Sequence, residues 1–109
     1  MNWVITYYSG SIQAEILAMP AGFLARFLRY SERMEVFGPD LGMPHTRAMG
    51  DGLFEIRLSG QEGIGRVFYC SLKSNEIILL HSFIKKTQQT PYHELEIARK
   101  RAKEVQKND

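Results

Sequence analysis

Hydrophobic and polar positions change their period along this chain, and the changes mark out its elements. Trp3 to Tyr8 is rich in β-branched and aromatic residues and ends at Ser9-Gly10, which predicts a first strand lying against the core. From Ser11, the apolar residues Ile12, Ile16 and Met19 recur at helical spacing until Pro20 interrupts them, predicting a short helix. Beyond Pro20 a longer stripe of Phe23, Leu24, Phe27, Leu28, Met34 and Phe37 is backed by Arg26, Arg29, Glu32, Arg33 and Glu35. Gly38-Pro39 stops that helix, and residues 40 to 46 read as loop, so a helical hairpin is expected in the first half.

The second half switches to strand-like runs. Leu53 to Leu58, Ile64 to Leu72 and Glu76 to Ile84 are separated by Gly60-Gln61-Glu62-Gly63 and Lys73-Ser74-Asn75, which predicts a three-stranded meander. Thr46 to Met49 offers a short additional edge strand before the Gly50-Asp51-Gly52 turn. Thr90-Pro91 predicts a helix start, with threonine as N-cap and proline at the first helical position, where its missing N–H costs nothing. Leu95, Ala98, Ala102 and Val105 then form a narrow apolar stripe on an otherwise charged helix. The expected fold class is α+β: an N-terminal helical hairpin on an antiparallel sheet of about four strands, closed by a C-terminal helix, as a single domain over residues 1–109.

Composition narrows the function. The one cysteine, Cys70, excludes an intramolecular disulfide, and no Cys/His group has zinc spacing, so neither staple nor metal is expected. The N-terminus lacks a basic stretch followed by an apolar one, and no apolar run approaches the roughly 18 residues of a membrane span. A soluble, unprocessed protein that avoids the membrane is expected. A formal net charge of +2 permits nucleic-acid binding without demanding it, but residues 85–107 hold seven basic against three acidic residues.

The candidate chemistry is cationic. Arg57 and Arg66 lie within predicted strands, an unusual place for a long cation unless that face is solvated or binds an anion; the guanidinium fork matches phosphate geometry. Whether they share a face depends on register. A two-residue Gln61-Glu62 loop puts Arg57 opposite Arg66, whereas a three-residue turn with a Gly63 bulge pairs Arg57 with Val67. Lys85 and Lys86 close the third strand and point in different directions, so one can face a site. His45, His81 and His93 are the side chains suited to proton transfer near neutral pH. By alternation with Leu79 and Phe83, His81 faces the core or an edge; His93 falls in the first turn of the last helix beside Tyr92. Cys70 reads as a small buried apolar residue, and Gly63-Ile64-Gly65 as turn chemistry, not a nucleotide cradle.

Taken in order, the segments Phe37 to Pro44, Leu53 to Leu58, Gly65 to Tyr69 and Leu80 to Pro91 resemble the phage-derived branch of the RelE/HigB toxin superfamily. The carrying pattern is strand arginine, strand arginine, then Phe-x-Lys-Lys-Thr-x-x-Thr-Pro, and the resemblance runs over nearly the whole chain. It implies a small cytoplasmic toxin of RelE-like fold that cuts messenger RNA in the ribosomal A site, inhibiting translation. It also implies attack by a ribose 2′-hydroxyl on the adjacent phosphate with no metal or other cofactor. Arg57, Arg66 and Lys85 or Lys86 fall on basic positions of that family. The resemblance assigns Arg66 and Lys86 to phosphate binding and charge stabilisation, with Arg57 and Lys85 in support and Glu55, His93 or Tyr92 as general base. Glu55 departs from the pattern, standing where other members can carry a second cation. The implied partner is a helix-turn-helix antitoxin, with operator DNA met only through the toxin–antitoxin complex; the amphipathic helices of Ala21 to Phe37 and Pro91 to Val105 either offer it docking surfaces or only complete the core. The alternative is a non-catalytic nucleic-acid-binding module of the same fold, since fold does not fix function.

Overall fold

The computed structural model describes residues 2–61, 63–85, 91–107 and 109. In chain order the elements are β1 (Val4–Tyr7), α1 (Gly10–Leu17), α2 (Ala21–Phe37), β2 (Thr46–Gly50), β3 (Leu53–Gly60), β4 (Gly63–Leu72), β5 (Glu76–Lys85) and α3 (Tyr92–Gln106). The α+β class is as expected. The sheet, however, has five strands in the order β1-β5-β4-β3-β2 and is mixed: β1 runs parallel to β5, while β5, β4, β3 and β2 pair antiparallel. Pairing of the first strand with the last leaves no local turn signal, so the antiparallel expectation fails there alone.

Each helix forms for a readable reason. Ser9 caps α1, its hydroxyl accepting from the Ile12 amide at 3.2 Å, which satisfies one of the orphan donors of the first turn. α2 ends where Gly38 takes φ 94° and returns its N–H to the Met34 carbonyl. A Cβ at Gly38 would also meet the Trp3 indole at 3.2 Å, so both backbone and space require glycine. The buried residues of α2 are Phe23, Phe27 and Met34, with Tyr30 partly buried between them; Leu28 and Phe37, expected on the stripe, are exposed. Leu24, also partly buried, completes the face that the helix presents to the sheet. α3 begins at Tyr92 with Pro91 at its N-cap, one residue later than expected; the predicted threonine cap, Thr90, lies outside the described residues.

Helices cover both faces of the sheet. On one face, α1 and α2 bury Ile12, Ile16, Phe23, Phe27 and Met34 against Ile56, Leu58, Val67, Tyr69, Ile77 and Leu79. On the other, α3 lays Ala98 and Ala102 over Leu53, Phe68, Cys70, Ile78 and Leu80, with small side chains permitting close approach. β4 is therefore buried on both sides through Gly65–Cys70, which explains its near-continuous apolar run. Cys70 behaves as the sequence suggests: burial pushes its thiol up to about 11, which keeps it a neutral packing group. No helix among the described residues is long and apolar enough to cross a membrane.

Candidate active site

The β3–β4 hairpin settles the register. Gly60 pairs with Gly63 and Arg57 with Arg66, so the two arginines stand directly opposite each other, as in the two-residue-loop alternative. They project from the α3 face, since Arg66 alternates with Phe68 and Cys70. Arg47 of β2 pairs with Glu55 and joins the same face.

A bulge in β5 decides which lysine belongs here. Tyr69 pairs with Leu79 but Phe68 pairs with His81, so one extra residue sits in β5 and the alternation flips. Leu79 faces α1 and α2, whereas His81, Phe83 and Lys85 face the α3 side, with Phe83 opposite Arg66 and Lys85 opposite Ile64. The expectation that His81 shares the face of Leu79 is thus corrected. Lys85 enters the cluster, and Lys86 lies outside the described residues.

Arg57 and Arg66 flank one carboxylate, that of Glu55, which is fully buried; Lys85 is near enough to feel its charge, and the exposed Arg47 pairs with it across β2 and β3. Arg57 Nη1 donates to Glu55 Oε1 at 2.9 Å, and Arg66 Nε stands 3.7 Å from Oε2, an ion pair too long for a hydrogen bond. Arg66 is only 3% exposed and donates through Nη1 to the Gly65 carbonyl; its Nε has no hydrogen-bond partner among the described residues. Arg57, at 25%, is the more accessible guanidinium. Burial and then the neighbouring Arg57 charge hold Arg66 below its ordinary range, against an opposing pull from Glu55. Lys85 is likewise held down by burial first and by Arg66 second. A cavity of ≈ 250 Å³ lined by Pro44, Arg57, Leu58, Ser59, Ile64 and Arg66 opens beside the two arginines. A larger cleft, ≈ 360 Å³, lies along α3 among Tyr92, Leu95, Arg99 and Lys103 and touches none of the cluster.

His81 and His93 part company. His81 Nε2 lies 2.6 Å from Glu94 Oε2, tying β5 to the first turn of α3, while its Nδ1 is buried without a partner among the described residues. His93 is exposed, and no hydrogen bond or ion pair among the described residues joins it to the cluster. Of the predicted site, Arg57, Arg66 and Lys85 come together and His93 does not. Arg47 was not singled out in the sequence. Its one signal there is its place in a short edge strand, and its approach to Arg57 and Arg66 follows only from pairing with Glu55.

The fold itself, helices on both faces of a five-stranded mixed sheet, has matches among solved structures. E. coli toxin RelE, solved in the free state as a double arginine-to-alanine mutant, superposes with a TM-score of 0.56 at 10% identity, covering 93% of this chain and 98% of that one. RelE from the RelE–RelB complex of the archaeon Pyrococcus horikoshii gives 0.51 at 16% identity, covering 77% of this chain and 96% of that one. At such identities the likeness shows the fold, which is RelE-like. The chain belongs to the phage-derived protein Gp49-like (DUF891) family, whose model matches residues 14–103 and so spans every residue of the cluster. Among curated proteins, none matches it by sequence.

Proposed function

We propose that the protein is the toxin of a toxin–antitoxin pair and acts as an endoribonuclease on messenger RNA at the ribosome. The carrying observation is the placement of Arg57 and Arg66 directly opposite each other, with Arg47 and Lys85 beside them, around a single carboxylate. Like charges on facing strands, one of them buried, work against folding, and a buried arginine Nε without a hydrogen-bond partner among the described residues suits a ligand. The guanidinium forks of Arg57 and Arg66, which share the one carboxylate of Glu55 among the described residues, suit an anionic ligand and a phosphate in particular.

The chemistry follows from the phosphate. When a ribose 2′-hydroxyl attacks the adjacent phosphorus, the P–O5′ bond breaks, leaving a 2′,3′-cyclic phosphate and a 5′-hydroxyl, and negative charge builds on the non-bridging oxygens. Arg66 at the floor and Arg57 nearer solvent stabilise that charge in a poorly hydrated place where such contacts are strong. Lys85, held below the usual lysine range, gives up a proton more readily and serves the departing 5′ oxygen. Lys86 continues the basic run as a supporting cation, and His93, on the helix beside Glu94, is a candidate base that substrate binding must bring into reach. No metal is assigned a step. The partner is a helix-turn-helix antitoxin, consistent with the capture of the archaeal neighbour as a RelE–RelB complex; operator DNA is met through the pair, and the site of action is the cytoplasm, where ribosomes and message are.

The test is induction of the wild-type chain and of Arg66→Ala in bacteria lacking the antitoxin, with growth recorded and RNA 5′ ends mapped. Arrest with new cuts inside translated messages, absent for a folded Arg66→Ala variant, is expected. Equal growth and no new ends in either strain would replace the enzyme with a non-catalytic nucleic-acid-binding module.

A further inference from the structure

Resting on that ribonuclease reading, we infer that Glu55 is a positioning residue: its buried carboxylate straddles Arg57 and Arg66 and sets how the two guanidiniums are presented to the phosphate. Glu55 is fully buried in the middle of β3, and a carboxylate is retained in such a place only when cations hold it. Its oxygens are divided between the facing residues, Oε1 accepting from Arg57 Nη1 at 2.9 Å and Oε2 lying 3.7 Å from Arg66 Nε.

Two cations in direct cross-strand register repel, and without an intervening anion they relieve the repulsion by turning apart. Glu55 removes that tendency while engaging only one N–H of Arg57. Arg66 spends one N–H on the Gly65 carbonyl, and its Nε, in ion-pair range of Glu55, has no hydrogen-bond partner among the described residues. The carboxylate therefore fixes two cations side by side yet leaves them donors for an anion.

The same geometry separates this role from proton abstraction. A general base must come within hydrogen-bond distance of the proton it takes. Glu55 has no solvent exposure, one oxygen is bonded to Arg57, and the other is enclosed beside Arg66. Its effect on the reaction passes through the arginines.

The experiment uses the full chain carrying Glu55→Gln, which keeps size but removes the charge facing Arg66, or Glu55→Asp, which keeps the charge but draws it back by one methylene. Arginine side-chain NMR of the free proteins reads the guanidiniums independently of any catalysis. Restrained Nη signals for Arg57 and Arg66 are expected in the wild type, and rotationally averaged ones in both variants. Single-turnover cleavage of ribosome-bound message across pH is expected to show kcat down about 10- to 100-fold in both, a displacement-type loss, with KM little changed and the acid limb of the profile in place. Unchanged guanidinium signals with unchanged kcat would overturn the inference. Loss of the acid limb in Glu55→Gln but not Glu55→Asp would also overturn it, making Glu55 the base. Should the wild type cut no RNA, the ribonuclease reading fails while the NMR comparison still decides the positioning claim; should Glu55→Gln not fold, Glu55→Asp carries both readouts.

Discussion

The α3 face of the sheet has two halves built on the same strands to opposite ends. At one end Leu53, Phe68, Cys70 and Leu80 lie under the alanines of α3, every side chain apolar and buried. A few residues along, Arg57, Arg66 and Lys85 crowd around Glu55, with Arg66 and Lys85 almost as deeply buried as the apolar group. The first half repays burial with transfer free energy. The second half pays desolvation and like-charge repulsion, which hold Arg66 and Lys85 below their ordinary ranges against the opposing pull of Glu55. A domain places such a liability in its interior where function uses it.

Substitutions in each half should therefore fail in opposite ways. Arg66→Ala is expected to lower cleavage by about a thousandfold, the scale of losing a preorganised charge-stabilising group, with a melting temperature at or above wild type. A large loss of stability with activity retained per folded molecule would dissolve the contrast. Leu53→Ala, in the apolar half, is expected to cost about 3 kcal/mol in a denaturant titration while leaving cleavage by the folded fraction intact; a loss of turnover at full occupancy of the native state would show that the halves are coupled. Lys85→Met should leave stability unchanged or raise it, because it removes a buried cation from beside Arg66; a loss above about 1 kcal/mol, measured by the same titration, would mean the lysine is held by more than it costs.

The smallest effect is one of pH. Because the folded state holds Lys85 below its ordinary 10.5, the unfolded chain binds more protons between the lowered value and 10.5. Wild-type stability should rise with pH through that window relative to Lys85→Met. A difference that stays flat or falls would contradict the assigned shift.

Much of this arrangement was legible beforehand, and the exceptions have physical causes. Both bounds of α2 follow from Pro20 and Gly38-Pro39, and the hairpin of β3 and β4 follows from paired glycines around Gln61-Glu62. The choice between two registers did not follow, because both turn types suit that tetrapeptide, and only the pairing of Arg57 with Arg66 decides it. Parallel docking of β1 on β5 is a contact between chain ends with no local signature. The β5 bulge matters most for the site. Strict alternation from Leu79 would turn Lys85 to the α1 and α2 side, and a single inserted residue brings it to Arg66 instead. Bulges leave little trace in a run of apolar residues such as Ile77-Ile78-Leu79-Leu80. The resemblance to RelE/HigB toxins, by contrast, was carried by short motifs, and the match to the phage-derived Gp49-like family and the RelE-like fold both support it.

The most direct measurement is cleavage by purified protein of ribosome-bound message, compared with the same message carrying a single 2′-deoxynucleotide at the cut site. The account predicts a cut in the first, ending in a 2′,3′-cyclic phosphate, and none at the substituted position. Cutting that persists through the 2′-deoxynucleotide, or a wild-type protein that leaves the message whole, would contradict it.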